Sequence, residues 1–214
     1  MMKRALYCLL LLCLLCVAAS CSRTDERSGA ESRLRPFFPA NVSQQARRVV
    51  EDAVAQSSYT RSYDPSYVKL DYPGGDVPLD RGVCTDVVIR SFRKVGVDLQ
   101  KEVHEDMTLA FAAYPKKWGL ARPDSNIDHR RVPNLMTFFE RRGKALGVTS
   151  ASADYLPGDI VTWDLGGGTA HIGVVSNLWS EKTENYLIAH NIGGGVRLED
   201  VLFNWRVTGH YRYF

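Results

Sequence analysis

Asp159-Ile160-Val161-Thr162-Trp163, His171-Ile172-Gly173-Val174-Val175 and Tyr186-Leu187-Ile188-Ala189-His190 are three apolar runs in succession, rich in β-branched and aromatic residues and separated by turn signals. Gly209 to Phe214 alternates in the same manner and predicts a last strand. The chain before Pro157 has a different texture. Val42, Ala46, Val49, Val50, Ala53 and Val54 recur at i, i+3/i+4 after Asn41, and Val87, Val88, Ser91, Phe92 and Val95 share one face of a helix that begins at Cys84 and stops at Gly96. Val103 to Tyr114 and Pro133 to Arg142 predict two further helices, with the polar, irregular stretch Trp118 to Arg131 between them. Tyr67 to Tyr72 reads as a short extended segment broken by Pro73-Gly74-Gly75-Asp76. Helices first and consecutive strands later predict an α+β domain with a mainly antiparallel sheet, spanning residues 41–214.

The beginning of the chain reads as something other than fold. Lys3 and Arg4 precede an almost wholly apolar run from Ala5 to Ala19 that ends in small residues, which is the layout of a secretory signal and too short for a comfortable membrane span. Ala18-Ala19-Ser20-Cys21 resembles a bacterial lipobox, with Ala18 where a leucine is usual. Residues 1–20 are therefore expected to be a lipoprotein signal peptide, Cys21 the lipidated residue, and residues 21–40, polar and holding Pro36 and Pro39, a tether. Ser22 rather than an aspartate after Cys21 favours the outer membrane as the place of the anchor.

Charge and cysteine usage narrow the chemistry. The 214 residues carry a formal charge of only +3, part of it in the signal, with no run of five basic residues, so a nucleic-acid partner is not expected. Of five cysteines, Cys8, Cys13 and Cys16 lie in the signal and Cys21 at its end, which leaves Cys84 alone in the domain. An unpaired thiol in an oxidising compartment is a liability unless it is used or deeply buried. Cys84 follows Gly82-Val83 at a helix start, where free backbone amides and the helix dipole favour thiolate and offer oxyanion donors. The competing reading is a small hydrophobe in the core.

A thiol nucleophile needs a base. His171 opens a strand directly after the Gly166-Gly167-Gly168-Thr169-Ala170 loop, where its side chain can face a helix start across the sheet. The residue that orients such an imidazole should lie on the neighbouring strand, which ends in His190 and Asn191; these face opposite sides, so one of them fills the role.

Gly74-Gly75, Cys84-Thr85, Gly96-Val97-Asp98-Leu99, Pro157-Gly158-Asp159-Ile160-Val161, His171-Ile172-Gly173-Val174-Val175 and Ile188-Ala189-His190 follow in order the pattern of NlpC/P60 cysteine peptidases, which the chain resembles. Gly82 to Arg90, Val103 to Met107 and Asn126 to Val132 resemble more closely the bacterial domain-of-unknown-function family 1287 (DUF1287), over roughly Tyr63 to Tyr213. The resemblance implies a papain-like fold with Cys84 as nucleophile, His171 as base and His190 as orienting residue, Asn191 being the alternative third member. It implies a cysteine peptidase or amidase acting on the stem peptides of peptidoglycan in the cell envelope. Val83 and Thr85 stand where NlpC/P60 proteins usually have Asp and Ser, Asp71 stands where they have a tyrosine, and a long insertion separates Leu99 from Tyr155. Two other functions use the same features: a thiol acyltransferase or esterase on acyl lipids, and a non-catalytic lipoprotein that binds through the cleft.

The remaining polar residues point elsewhere. Asp124, Asn126 and Asp128 have the spacing of a calcium-loop start without its glycine and late glutamate, and the five histidines form no metal-type motif, so neither metal nor cofactor is expected. His104 reads as an ordinary helix residue, while His129 is either a cleft residue or a loop residue. Gly166 to Gly168 and Gly193 to Gly195 read as turns rather than phosphate loops. A monomer is expected.

Overall fold

The computed structural model describes residues 34–214. The expected signal peptide and the expected lipidation site at Cys21 lie outside the described residues. Among the described residues four α-helices, α1 (Gln44–Ala55), α2 (Cys84–Arg93), α3 (Leu99–Ala110) and α4 (Val132–Arg141), precede most of the sheet. Its long strands are β5 (Ile160–Asp164), β6 (Ala170–Ser180), β7 (Asn185–Asn191), β8 (Val196–Glu199) and β9 (Arg206–Tyr211). Four short strands complete the set: β1 (Leu34–Pro36), β2 (Ser62–Tyr63), β3 (Arg81–Gly82) and β4 (Ala145–Leu146). The main sheet runs β4-β9-β5-β6-β7-β8 with every pairing antiparallel, and β1 adds to β6; β2 and β3 form a separate parallel pair. The class is α+β with a mainly antiparallel sheet.

The helices form because their apolar positions share a face. Ser43 caps α1 by accepting from the Ala46 amide at 3.0 Å, and Asp98 caps α3 by accepting from the Gln100 amide. The core between helices and sheet holds Val49, Val88, Phe92, Leu99, Leu135, Phe138 and Phe139 against Ile160, Ile172 and Val174. Trp163, Tyr155, Val175 and Ile188 fill the opposite face of the sheet. Burial on both faces explains why the strand runs are nearly continuous in apolar residues rather than alternating.

Two local expectations differ from the structure. Tyr67 to Tyr72 forms no strand, because its backbone is held by side chains: the Leu70 amide donates to Asn126 Oδ1 at 2.8 Å, and Gln100 Nε2 donates to the Asp71 carbonyl at 3.0 Å. Leu34–Pro36, inside the stretch read as a tether, pairs with Leu178–Ser180 of β6.

Candidate active site

The first turn of α2 is clamped from several directions. Val83 is extended, and the Asp86 carboxylate accepts from its amide at 2.7 Å, the N-terminal half of a capping box. Arg130, itself buried, holds the same carboxylate with two hydrogen bonds of 3.0 and 2.9 Å and donates onward to the Ser66 and Asp64 carbonyls. Thr85 Oγ1 donates to the Arg130 carbonyl at 3.1 Å. Asn191 at the end of β7 donates to the Gly82 and Ser62 carbonyls at 3.0 and 3.1 Å, tying the strand to the segment just before Cys84.

Cys84 is the first residue of α2 and is 5% exposed. The backbone amides of Ile172, Thr85 and Cys84 itself pull the thiol toward thiolate. These donors do not prevail. Burial pushes the thiol up to about 12, and Asp86 adds to the rise. The thiolate expected from the helix start alone is therefore overturned at rest, because desolvation of the sulfur outweighs the amides.

His171 and His190 meet across β6 and β7. His171 Nε2 and His190 Nδ1 are 2.7 Å apart, and His190 Nε2 lies 2.9 Å from Glu199 Oε2 on β8. Gly173 permits this approach: a Cβ there would stand 2.5 Å from Ile188 Cγ2 and 3.2 Å from His190 Cβ. Trp205 packs near both imidazoles, at ring distances of 6.2 and 6.3 Å, and Trp163 lies 5.9 Å from His171. Burial, and then His190, lowers His171 to about 3, so its imidazole is neutral at rest.

Of the two candidates for a third residue, the structure brings His190 to His171, while the side chain of Asn191 is occupied with the chain before Cys84. Cys84 opens onto a cleft of about 350 Å³. Its walls include Tyr63, Trp118, Lys117, Arg131 and Ala170. The Arg131 guanidinium stacks 4.1 Å from the Trp118 ring. Burial and then Cys84 raise the Tyr63 phenol.

Of the other singled-out residues only Gly168 lines this cleft. Asp124 accepts from Asn126 and from Tyr67 Oη, and Asp128 accepts from Arg131, so the Asp124-Asn126-Asp128 loop folds its oxygens onto its own donors. His104 packs edge-on to Tyr72 at 5.1 Å. His129 is buried and pushed down to about 3 by desolvation and by the nearby Arg93 and Arg130. Gly166, Gly167 and Gly168 have positive φ angles in the β5–β6 turn.

Sequence reading missed Glu199, Tyr63 and the Asp86–Arg130 pair. Asp86, at the third position of a helix opened by Val83-Cys84, was detectable as a cap; Arg130 is 44 residues away and leaves no local signal.

No solved structure matches the chain significantly. A curated relative, "Uncharacterized protein YijF" of Escherichia coli (strain K12), is 58% identical over 166 residues, covering 78% of this chain and 80% of the relative. The family model described as "Domain of unknown function (DUF1287)" matches residues 50–213, which takes in Cys84, His171, His190 and Glu199, and the chain belongs to the DUF1287 family.

Proposed function

We propose that the protein is a thiol hydrolase that cleaves amide bonds in peptidoglycan stem peptides, on a papain-like scaffold of the NlpC/P60 type. The observations that carry this reading are Cys84 at a helix start, opening onto a cleft whose wall includes Ala170, and the buried pair that His171, next in sequence to Ala170, makes with His190. Cationic Lys117 and Arg131 on the cleft wall suit the carboxylates of stem peptides. On this reading the enzyme works from the periplasmic side of the envelope, anchored by lipid at Cys21 and favoured at the outer membrane.

The resting pair is a neutral thiol and a neutral imidazole, so thiolate forms as attack occurs. His171 Nδ1 takes the Cys84 proton while the sulfur bonds to the amide carbon, and the carbonyl electrons move to oxygen. Backbone amides at the start of α2 are the oxyanion donors. Collapse breaks the C–N bond and the leaving amine takes the proton from His171. Water then attacks the thioester, giving up a proton to His171, and the carboxylic acid departs as Cys84 recovers its hydrogen.

Incubation of the protein and its Cys84→Ala variant with digested peptidoglycan, followed by mass spectrometry, tests this. New stem-peptide fragments appear with the wild type and vanish with the variant. The burial of Cys84 favours a second reading, non-catalytic binding of envelope material, and a wild type that leaves muropeptides unchanged while it co-sediments with intact peptidoglycan establishes that reading instead. Release of fatty acid from lipid substrates would identify the third function, a thiol esterase.

The third residue has its own test. His190→Ala lowers kcat on muropeptides by a factor of about ten or more, because a mis-set imidazole is a weaker base. Asn191→Ala is milder in kcat, and its loss shows as reduced thermal stability, since Asn191 tethers β7 to Gly82 and Ser62. A reversed order of the two kcat values, with both variants folded, assigns the orienting role to Asn191.

A further inference from the structure

Resting on the hydrolase reading, we infer that Glu199 is a fourth, positioning member of the site: through His190 it fixes which nitrogen of His171 carries the proton. Glu199 ends β8, opposite Ile188 on β7, and its carboxylate lies 2.9 Å from His190 Nε2. A carboxylate has only acceptor oxygens, so it selects the His190 tautomer with hydrogen on Nε2. His190 Nδ1 is then an acceptor. The 2.7 Å contact requires one hydrogen between the rings, which places it on His171 Nε2 and leaves a lone pair on His171 Nδ1. On the hydrolase reading, that is the nitrogen left to take the thiol proton.

The chain of choices holds only while His190 stays neutral, since an imidazolium would donate from both nitrogens and reverse the His171 tautomer. Burial lowers His190 below the ordinary histidine value, against the opposing pull of Glu199. Glu199 is also the outer end of the chain. It lines a second hollow with Arg61, Arg197 and Thr60, with about a third of its side chain exposed. His171, by contrast, is 3% exposed, so the surface carboxylate governs a nitrogen that solvent barely reaches.

Long-range ¹H–¹⁵N correlation spectra of the histidine rings read the tautomers directly, with assignments from His171→Gln and His190→Gln. In the wild-type protein near neutral pH, both rings carry hydrogen on Nε2. Glu199→Ala produces a mixture of tautomers at both rings, and Glu199→Gln, whose amide oxygen still accepts, restores the wild-type pattern. A wild-type His171 with hydrogen on Nδ1, or unchanged tautomers in Glu199→Ala, overturns the inference. The wild-type spectrum alone decides the first point even if Glu199→Ala does not fold. On muropeptides, Glu199→Ala lowers kcat about tenfold with little change in KM, and Glu199→Gln recovers most of it; equal rates for all three overturn the positioning role. Because the spectra need no substrate, absence of turnover in the wild type rejects the hydrolase reading without touching the tautomer result.

Discussion

Arg130→Met lowers the unfolding free energy by about 3–5 kcal/mol, the range seen when one partner of a buried ion pair is removed and the other is left uncompensated. Both side chains are almost fully enclosed, at 2% for Arg130 and 4% for Asp86, so solvent cannot take over. The loss is larger than a single pair because Arg130 also satisfies the Asp64 and Ser66 carbonyls, and methionine leaves those bare. In a domain of this size the midpoint of thermal unfolding should fall by about 6–20 °C. The second substitution Asp86→Asn in the Arg130→Met background recovers part of the loss, since no isolated charge then remains, although the Val83 amide keeps an acceptor. Chemical denaturation of the wild type and the two variants measures this. An Arg130→Met protein within about 1 kcal/mol of wild type would show that Asp86 finds other solvation and that the clamp on α2 is not a stabilising device.

The clamp also explains how much of the site could be read in advance. The placement of Cys84 and His171 was legible because each stands at a boundary that composition marks: a helix after Gly82-Val83 and a strand after three glycines. That only one of His190 and Asn191 can meet His171 was legible, since adjacent strand residues face apart, but only the course of the chain shows that the Asn191 face looks onto Ser62 and Gly82. Glu199 escaped because Val196–Glu199 is a four-residue strand entered from the Gly193-Gly194-Gly195 turn, with too few positions for alternation to register. The two-residue strands β2 and β3 escaped for the same reason. They pair in parallel, with Ser62 opposite Arg81, across a long irregular connection that no local pattern announces. The depressed thiol pKa expected for Cys84 failed for a different reason: a helix start supplies donors, but the sequence does not say how deeply the sulfur will be buried.

Acid should unfold this protein earlier than its carboxylates alone require. His129 and His171 are both held near 3 in the folded chain, largely by burial, against about 6.5 for an exposed imidazole. Between those values the unfolded chain binds protons that the folded one refuses, so stability is fully present above about pH 6.5 and falls as the pH drops toward 3. Two such groups give a slope of about 2.7 kcal/mol per pH unit once both titrate fully in the unfolded chain. His190, also lowered, acts in the same direction. A typical domain stability of about 5–15 kcal/mol is consumed within a few pH units at that slope. Urea unfolding followed from about pH 7 to 5, above the main carboxylate range, isolates the histidine contribution. His129→Gln, which removes one of the titrating rings outside the cleft, should cut the slope by about a third to a half. A urea midpoint that stays constant down to about pH 5 would mean that these rings are protonated in the folded protein, and the neutral His171 on which the proposed base chemistry depends would be lost with it.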